Sequence, residues 1–556
     1  MFRIFSLFGN TRSHDNIITV PTRTPPENPK SLVLPAECLQ EIFKYHRDDP
    51  YTLRSCLLVN HYWCQHAVAI LYRNPFELAR KPSPKLVHNY LNLLDKEVKS
   101  FLRENGLDML SIDPTITSSI NYLAAFRTLS YKAIYDCVSR LVPQKHPKFS
   151  RPWMRRKFCR VVVEELCKYF VKNCRMLNDL SFDTKDMIFY KPEIKMPFPS
   201  YPGADLLLQQ IRRFSCGGEY DKGDLMHAMS VSCRNLDTLE LNFSSFDMYN
   251  PKDGNRRDTY QMCILIIAQR NLQKIIIRES YCFLADLMPA FTTQTSSLTH
   301  IEFINVLFQT SGPLEVVAQC HKLETLIFED CNNLTNEILA PLAKSSFTHL
   351  KKLTFKNAHR KELDNLIPVI ENTNGSIREV RFRRREFRNS VVQSVPDIPP
   401  VIIATVAKSC PKLISFEGHI EQETMQPFVL LLENCLRLER LAISVEDQYD
   451  EFFRSKVASL LSSTLYHLTI SWMGNFSVNE LDLFLSNCRA SLETLQLATP
   501  CYIDDSFLTA IMHYARRTRT LKRIALSRNA QVTEEGIEKA CAVINSVTKI
   551  GECCEW

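Results

Sequence analysis

Six arginines crowd one short stretch: Arg378, Arg381, Arg383, Arg384, Arg385 and Arg388. Lys352 and Lys356 lie shortly upstream. A guanidinium pairs with phosphate or carboxylate in a planar, bidentate geometry, so these residue types suit the capture of an acidic or phosphorylated segment. A solvated charge run, partly offset by Glu379 and Glu386, is the plainer alternative. The chain carries no glycine-rich phosphate loop, no H-E-x-x-H and no G-x-S-x-G, so no catalytic residue is expected. There is no C-x-x-C pair, and Cys553-Cys554 has no second ligand pair nearby, so neither a metal nor a cofactor is expected.

The cations must be positioned by whatever elements surround them, and one unit shows what those are. In Cys320–Leu339, Leu323, Leu326 and Phe328 follow L-x-x-L-x-F, a short strand with one buried face. Cys331 and Leu334 turn a corner, and Thr335-Asn336-Glu337 supplies capping side chains for a helix. The same pattern recurs at Leu177, Ile211, Leu236, Leu272, Leu298, Leu350, Ile377, Leu413, Leu438, Leu465, Leu492 and Leu521. Most intervals are about 25–29 residues. A cysteine often stands three residues before the anchor, as in Cys174, Cys233, Cys320, Cys410 and Cys435. These units closely resemble the cysteine-containing class of leucine-rich repeats. The resemblance implies an α/β horseshoe solenoid of about 13 repeats over 158–546, with 547–556 as a tail.

In such strands the residues between the buried pair face the concave side. They run Ser181, Glu240, Ile276, Glu302, Ile327, Thr354, Arg381, Glu417, Ala442, Thr469, Gln496 and Ala525. This places Arg381 and Arg383 beside Lys352 and Lys356, and these four with Arg385 are candidate contacts for a protein substrate. Three intervals are too long, with insertions near 183–203, 243–259 and 383–400 that all follow the strand and precede the helix. They therefore share one rim, where Tyr201, Phe246 and Tyr249 are candidate aromatic anchors. Tolerated surface loops are the alternative.

Upstream, Met1–Phe8 is apolar but short, and Asn10–Lys30 is polar, proline-bearing and without periodicity, which predicts a disordered leader over 1–31. Leu34-Pro35-Ala36-Glu37-Cys38-Leu39-Gln40-Glu41-Ile42-Phe43 then opens a helix, with Pro35 suited to its start. A second helix carries Leu53, Cys56, Leu57 and Val59, and Trp63 follows. The pattern L-P-x-E-x-L-x-x-I-F followed by L-x-x-C-L-x-V-N-x-x-W resembles an F-box over 32–75. It departs from that family at Tyr45-His46, where leucine is common, and at His61. The resemblance implies a small all-α module that inserts into the Skp adaptor of a cullin-based ubiquitin ligase. It also implies contacts from Leu34, Pro35, Glu37, Leu39, Ile42, Phe43, Leu57, Val59 and Trp63. Amphipathic helices over 76–157 would link this module to the repeats.

Net charge is +7, from 68 basic and 61 acidic residues, which is mild for a nucleic-acid binder, and no nucleic-acid partner is expected. The 20 cysteines fall mostly in apolar runs, as small buried hydrophobes of a reducing compartment do. No apolar run reaches the roughly 18 residues of a membrane span, and a cytoplasmic or nuclear location without membrane contact is expected. The function the F-box and leucine-rich-repeat resemblances imply is substrate recognition for a ubiquitin ligase, with the repeats holding a protein target. A binding scaffold without ligase coupling is the alternative, and an enzyme or a nucleic-acid binder fits less well.

Overall fold

The computed structural model describes residues 34–47, 49–77, 83–105, 122–142, 151–184, 197–218, 223–243, 253–280, 284–310, 312–356, 363–383, 398–445, 451–472, 477–498, 503–527 and 529–550. The leader expected over 1–31 lies outside them. So do Arg384, Arg385 and Arg388, Phe246 and Tyr249, and most of the three rim insertions. The chain divides into two compact units, Met1–Leu272 and Gln273–Trp556.

The first unit opens with three short helices: α1 (Ala36–Tyr45), α2 (Pro50–Cys56) and α3 (His61–Leu71). Side chains fix their starts. Asp49 accepts hydrogen bonds from the Tyr51 and Thr52 amides at 3.1 and 3.2 Å. Asn60 accepts from the Trp63 amide at 2.9 Å. Such caps satisfy amides that the first turn leaves without partners. Leu39 and Phe43, four apart on α1, point inward with Leu53, Leu57, Ala67 and Leu71, all buried. The Phe43 and Trp63 rings meet edge to face at 5.4 Å.

Four further helices follow: α4 (Pro84–Leu93), α5 (Lys96–Glu104), α6 (Tyr131–Leu141) and α7 (Pro152–Asn173). An aromatic knot joins α4 to α7. Phe170 of α7 lies 4.9 Å from Phe126, 4.9 Å from Tyr90 and 5.9 Å from Phe76. The unit then lays down parallel strands in chain order: β1 (Thr128–Ser130), β2 (Asp179–Asp183), β3 (Arg213–Gly217) and β4 (Thr238–Asn242). Strand β1 lies inside the stretch expected to be purely helical. The side chains of Thr128, Asp179 and Arg213 are hydrogen-bonded in series across the first three strands, at 3.0 and 2.8 Å.

The second unit continues the same strand–helix repeat through eleven parallel strands. They are β5 (Lys274–Arg278), β6 (His300–Ile304), β7 (Thr325–Glu329), β8 (Lys352–Lys356), β9 (Glu379–Arg383), β10 (Ser415–Ile420), β11 (Arg440–Val445), β12 (His467–Trp472), β13 (Thr494–Leu497), β14 (Arg523–Ser527) and β15 (Ser546–Ile550). From Val547 on, β15 occupies residues expected to be tail. The reason for the repeat is visible in the burial. All thirteen anchors, from Leu177 to Leu521, are buried. Register places each strand's second and fourth residues beside their counterparts, as in Leu326↔Leu353 and Phe328↔Phe355. At the fourth position Phe303, Phe328, Phe355 and Phe382 stack in file, with centroids 5.6, 4.9 and 6.1 Å apart.

The file stops at β10, where Gly418 takes the equivalent place. A Cβ there would stand 3.0 Å from the Phe416 ring. The strand ends are also alike. Glu279, Asn305 and Asp330 each follow their strand with a positive φ of 52–57°. Each donates its amide to the last carbonyl of the next strand, at 2.7–2.8 Å. The buried repeat cysteines act as small apolar groups. Cys233 and Cys435 donate to the carbonyls of Ile211 and Cys410 at 3.5 Å. Burial pushes the Cys320 and Cys410 thiols up to about 12, which makes them unreactive.

Candidate functional site

Two surfaces carry the residues that the sequence singles out. The first is the three-helix unit. Of its nine predicted contacts, Leu39, Phe43 and Leu57 are buried. They hold α1, α2 and α3 together and present no surface, which corrects their assignment as contacts. Leu34, Ile42 and Val59 are 44, 43 and 55% exposed, and Pro35 and Glu37 are also exposed. Trp63 is half-buried against Phe43. Tyr45, Tyr51 and Leu58 extend the exposed apolar set and were missed by the motif. The Tyr62 hydroxyl donates to the Leu34 carbonyl at 3.1 Å, which tethers the chain before α1.

The second surface is the face of the β7–β10 sheet opposite the buried side chains. Ile327, Glu329, Lys352, Thr354, Lys356, Arg381, Arg383 and Glu417 line one open depression of about 190 Å³. The structure thus brings four of the predicted cations together. It also supplies Glu329 and Glu417, carboxylates that the sequence reading did not pair with them. Lys356 meets Glu329 at 2.6 Å, and Arg383 meets Glu417 at 3.6 Å. Glu379 is shared by Lys352 at 3.7 Å, Arg381 at 3.5 Å and Arg440 at 2.7 Å. Among the described residues these contacts join five cations to three carboxylates. Beyond them, Glu302 is claimed by Lys274 at 2.9 Å and by His300.

The electrostatics follow from this arrangement. Burial and then the neighbouring Arg381 lower the Lys352 ammonium from its ordinary value. Burial opposes ionisation of Glu302, but hydrogen bonds from His300 and Lys274 outweigh it and hold its carboxyl down to about 2. In β12, burial followed by the charges of Arg523 and Arg440 holds His467 down to about 4. At the floor of the depression Thr354 is 6% exposed, and its hydroxyl has no hydrogen-bond partner. Periodicity alone placed Thr354 on this face, but nothing in the sequence marked it as an unsatisfied donor.

Tyr201, predicted as a rim anchor, is buried. It packs on Phe198 at 5.8 Å, with the Lys168 ammonium 5.9 Å from its ring centre. It belongs to the core beside α7 and is corrected as a contact residue. Among the described residues no group of three or more His, Cys, Asp or Glu side chains is placed to hold a metal ion. Among them, too, no helix is long and apolar enough to cross a membrane.

No protein-family model matches the sequence, and no curated protein matches it. Among solved structures the chain is similar to one described as the crystal structure of the Rad7 and Elc1 complex in yeast. The match is 14% identical, with a TM-score of 0.33, over 60% of this chain and 81% of that one.

Proposed function

We propose that the chain is the non-catalytic substrate-recognition subunit of a Skp–cullin–F-box type ubiquitin ligase. Residues 32–75 serve as the adaptor-binding module, and the strand–helix repeats hold the protein target. The observation that carries the reading is the division of labour within α1, α2 and α3. The unit has a complete core of its own, yet Leu34, Ile42 and Val59 remain about half exposed. Apolar side chains displayed on a small helical unit suit insertion into a partner's groove. The contribution to ubiquitin transfer is proximity, because a bound target's lysines are raised to a high local concentration near the charged enzyme.

The test is co-purification of the full chain with a Skp adaptor and cullin, beside a Leu34→Ala, Pro35→Ala double variant and Ile42→Asp. The intact chain should bring down both partners, and the variants should lose them while keeping the parent Tm. An intact chain that brings down neither refutes the ligase reading and leaves a repeat scaffold.

A further inference from the structure

We propose that the outer face of the helices Gly223–Ser232 and Asp253–Ile267 is a dimer interface, on which a second copy of the chain docks antiparallel about a two-fold axis. The two helices pack side by side. A surface helix ordinarily turns polar side chains to water. Here apolar ones face outward. Tyr260 and Ile267 are 64 and 54% exposed, with the half-buried Ile264 between them on one stripe. Val231, on the neighbouring helix, is 59% exposed. Val231 and Ile267 hold the same repeat position, five residues before the anchors Leu236 and Leu272. Exposed apolar side chains that continue from one helix to the next mark a contact surface.

The polar groups around the stripe say what covers it. Two residues before each anchor stands an exposed arginine, Arg234 and Arg270; twelve before stand Asp224 and Tyr260, also exposed. Each helix thus has an arginine just past its C-terminal end and, ten residues earlier, a carboxylate or an aromatic face. Among the described residues, Asp224, Arg234 and Arg270 have no ion-pair partner within the chain. The helix dipole accounts for an acid at one end and a cation at the other, but not for the apolar stripe between them. A two-fold axis across both helices complements every feature. It sets Arg234 against the partner's Asp224, Arg270 over the partner's Tyr260 ring, and stripe on stripe. Turned end for end, the face would set arginine against arginine. An unrelated protein would have to bring this whole pattern, whereas the chain already carries it. Two helix diameters by fifteen residues of helix cover on the order of 450 Å² per copy. A standard interface covers about 800 Å² per partner, so the dimer is a weak one. The inference does not rest on the proposed function, since no residue of α1–α3 takes part.

The experiment is sedimentation equilibrium of the full chain from about 1 to 100 μM, with Tm read for each variant. The parent should associate reversibly to a dimer with a Kd in the micromolar range. Ile267→Asp and Arg234→Asp should each weaken the dimer roughly tenfold or more, because two-fold symmetry makes every substitution count twice. Adding Asp224→Arg to Arg234→Asp restores the pair with its signs exchanged, and should return Kd to within about threefold of the parent. All variants should stay close to the parent Tm, since the side chains they change are exposed. A monomer throughout that range, a dimer indifferent to Ile267→Asp and Arg234→Asp, or an exchanged pair that fails to recover association would each overturn the proposal. So would loss of the dimer on removal of Met1–Phe8 alone, which would assign the contact to that segment.

Discussion

Phe328→Ala tests the energetic core of the repeat. The ring is fully buried, stacked between Phe303 at 5.6 Å and Phe355 at 4.9 Å, with Phe308 edge-on at 5.9 Å. Truncation removes the transfer energy of the ring and leaves a hole that neighbouring strands, fixed by their own ladders, fill only in part. Buried Phe→Ala changes cost about 3–5 kcal/mol, and two stacked partners place this one toward the upper end. By contrast, Glu329→Gln breaks the 2.6 Å contact with Lys356 at a partly exposed site and should cost about 1 kcal/mol or less. Phe328→Leu, which keeps much of the volume, should fall between the two. Repeat arrays are stabilised by nearest-neighbour interfaces. Urea denaturation should therefore be accompanied by faster hydrogen exchange in β6–β8, with β12–β14 little affected. A loss under about 1 kcal/mol, or equal loss of protection in both places, would refute the stacking argument.

Two further outcomes follow from local geometry. Arg519 closes the helix Asp505–Thr518 at a φ of 57° while exposed to solvent, so Arg519→Gly should raise stability by about 0.5–1 kcal/mol, read as a higher urea midpoint. His467 is held down to about 4, so as pH falls from about 6.5 to 4 the unfolded chain takes up a proton that the folded chain does not. Stability should fall across that window, and His467→Gln should flatten the slope there. Glu302, held down to about 2, should add its own loss only as pH falls from about 4.5 toward 2.

The repeat was legible because its signal is periodic and apolar. Leu323, Leu326 and Phe328 mark a strand by type and spacing alone, and all are buried. Strand β1 escaped because it is three residues long and lacks the preceding leucine anchor. The cation cluster was legible as charge but not as a network. Glu379 stands two residues from Arg381, but Glu329 and Glu417 come from neighbouring strands more than twenty residues away, and only register reveals the pairing of Lys356 with Glu329 or Arg383 with Glu417. In the three-helix unit a motif names positions without saying which way they face, so core and surface residues were grouped together. Tyr201 shows the same gap. An aromatic in a proline-rich insertion reads as surface, yet three residues after Phe198 it folds back onto the core.

Gly418 sets a limit on how this molecule can lengthen or shorten by duplication. From β6 to β9 each strand offers a phenylalanine to the next, so a repeat copied within that run meets the face its parent met. At β10 the rule changes, because the Phe416 ring crowds the place where the next phenylalanine would stand. A copied phenylalanine strand set beyond this junction meets a different face. Strands β6 to β9 are exchangeable parts, and the β9–β10 junction is a splice point that only a matched pair can cross.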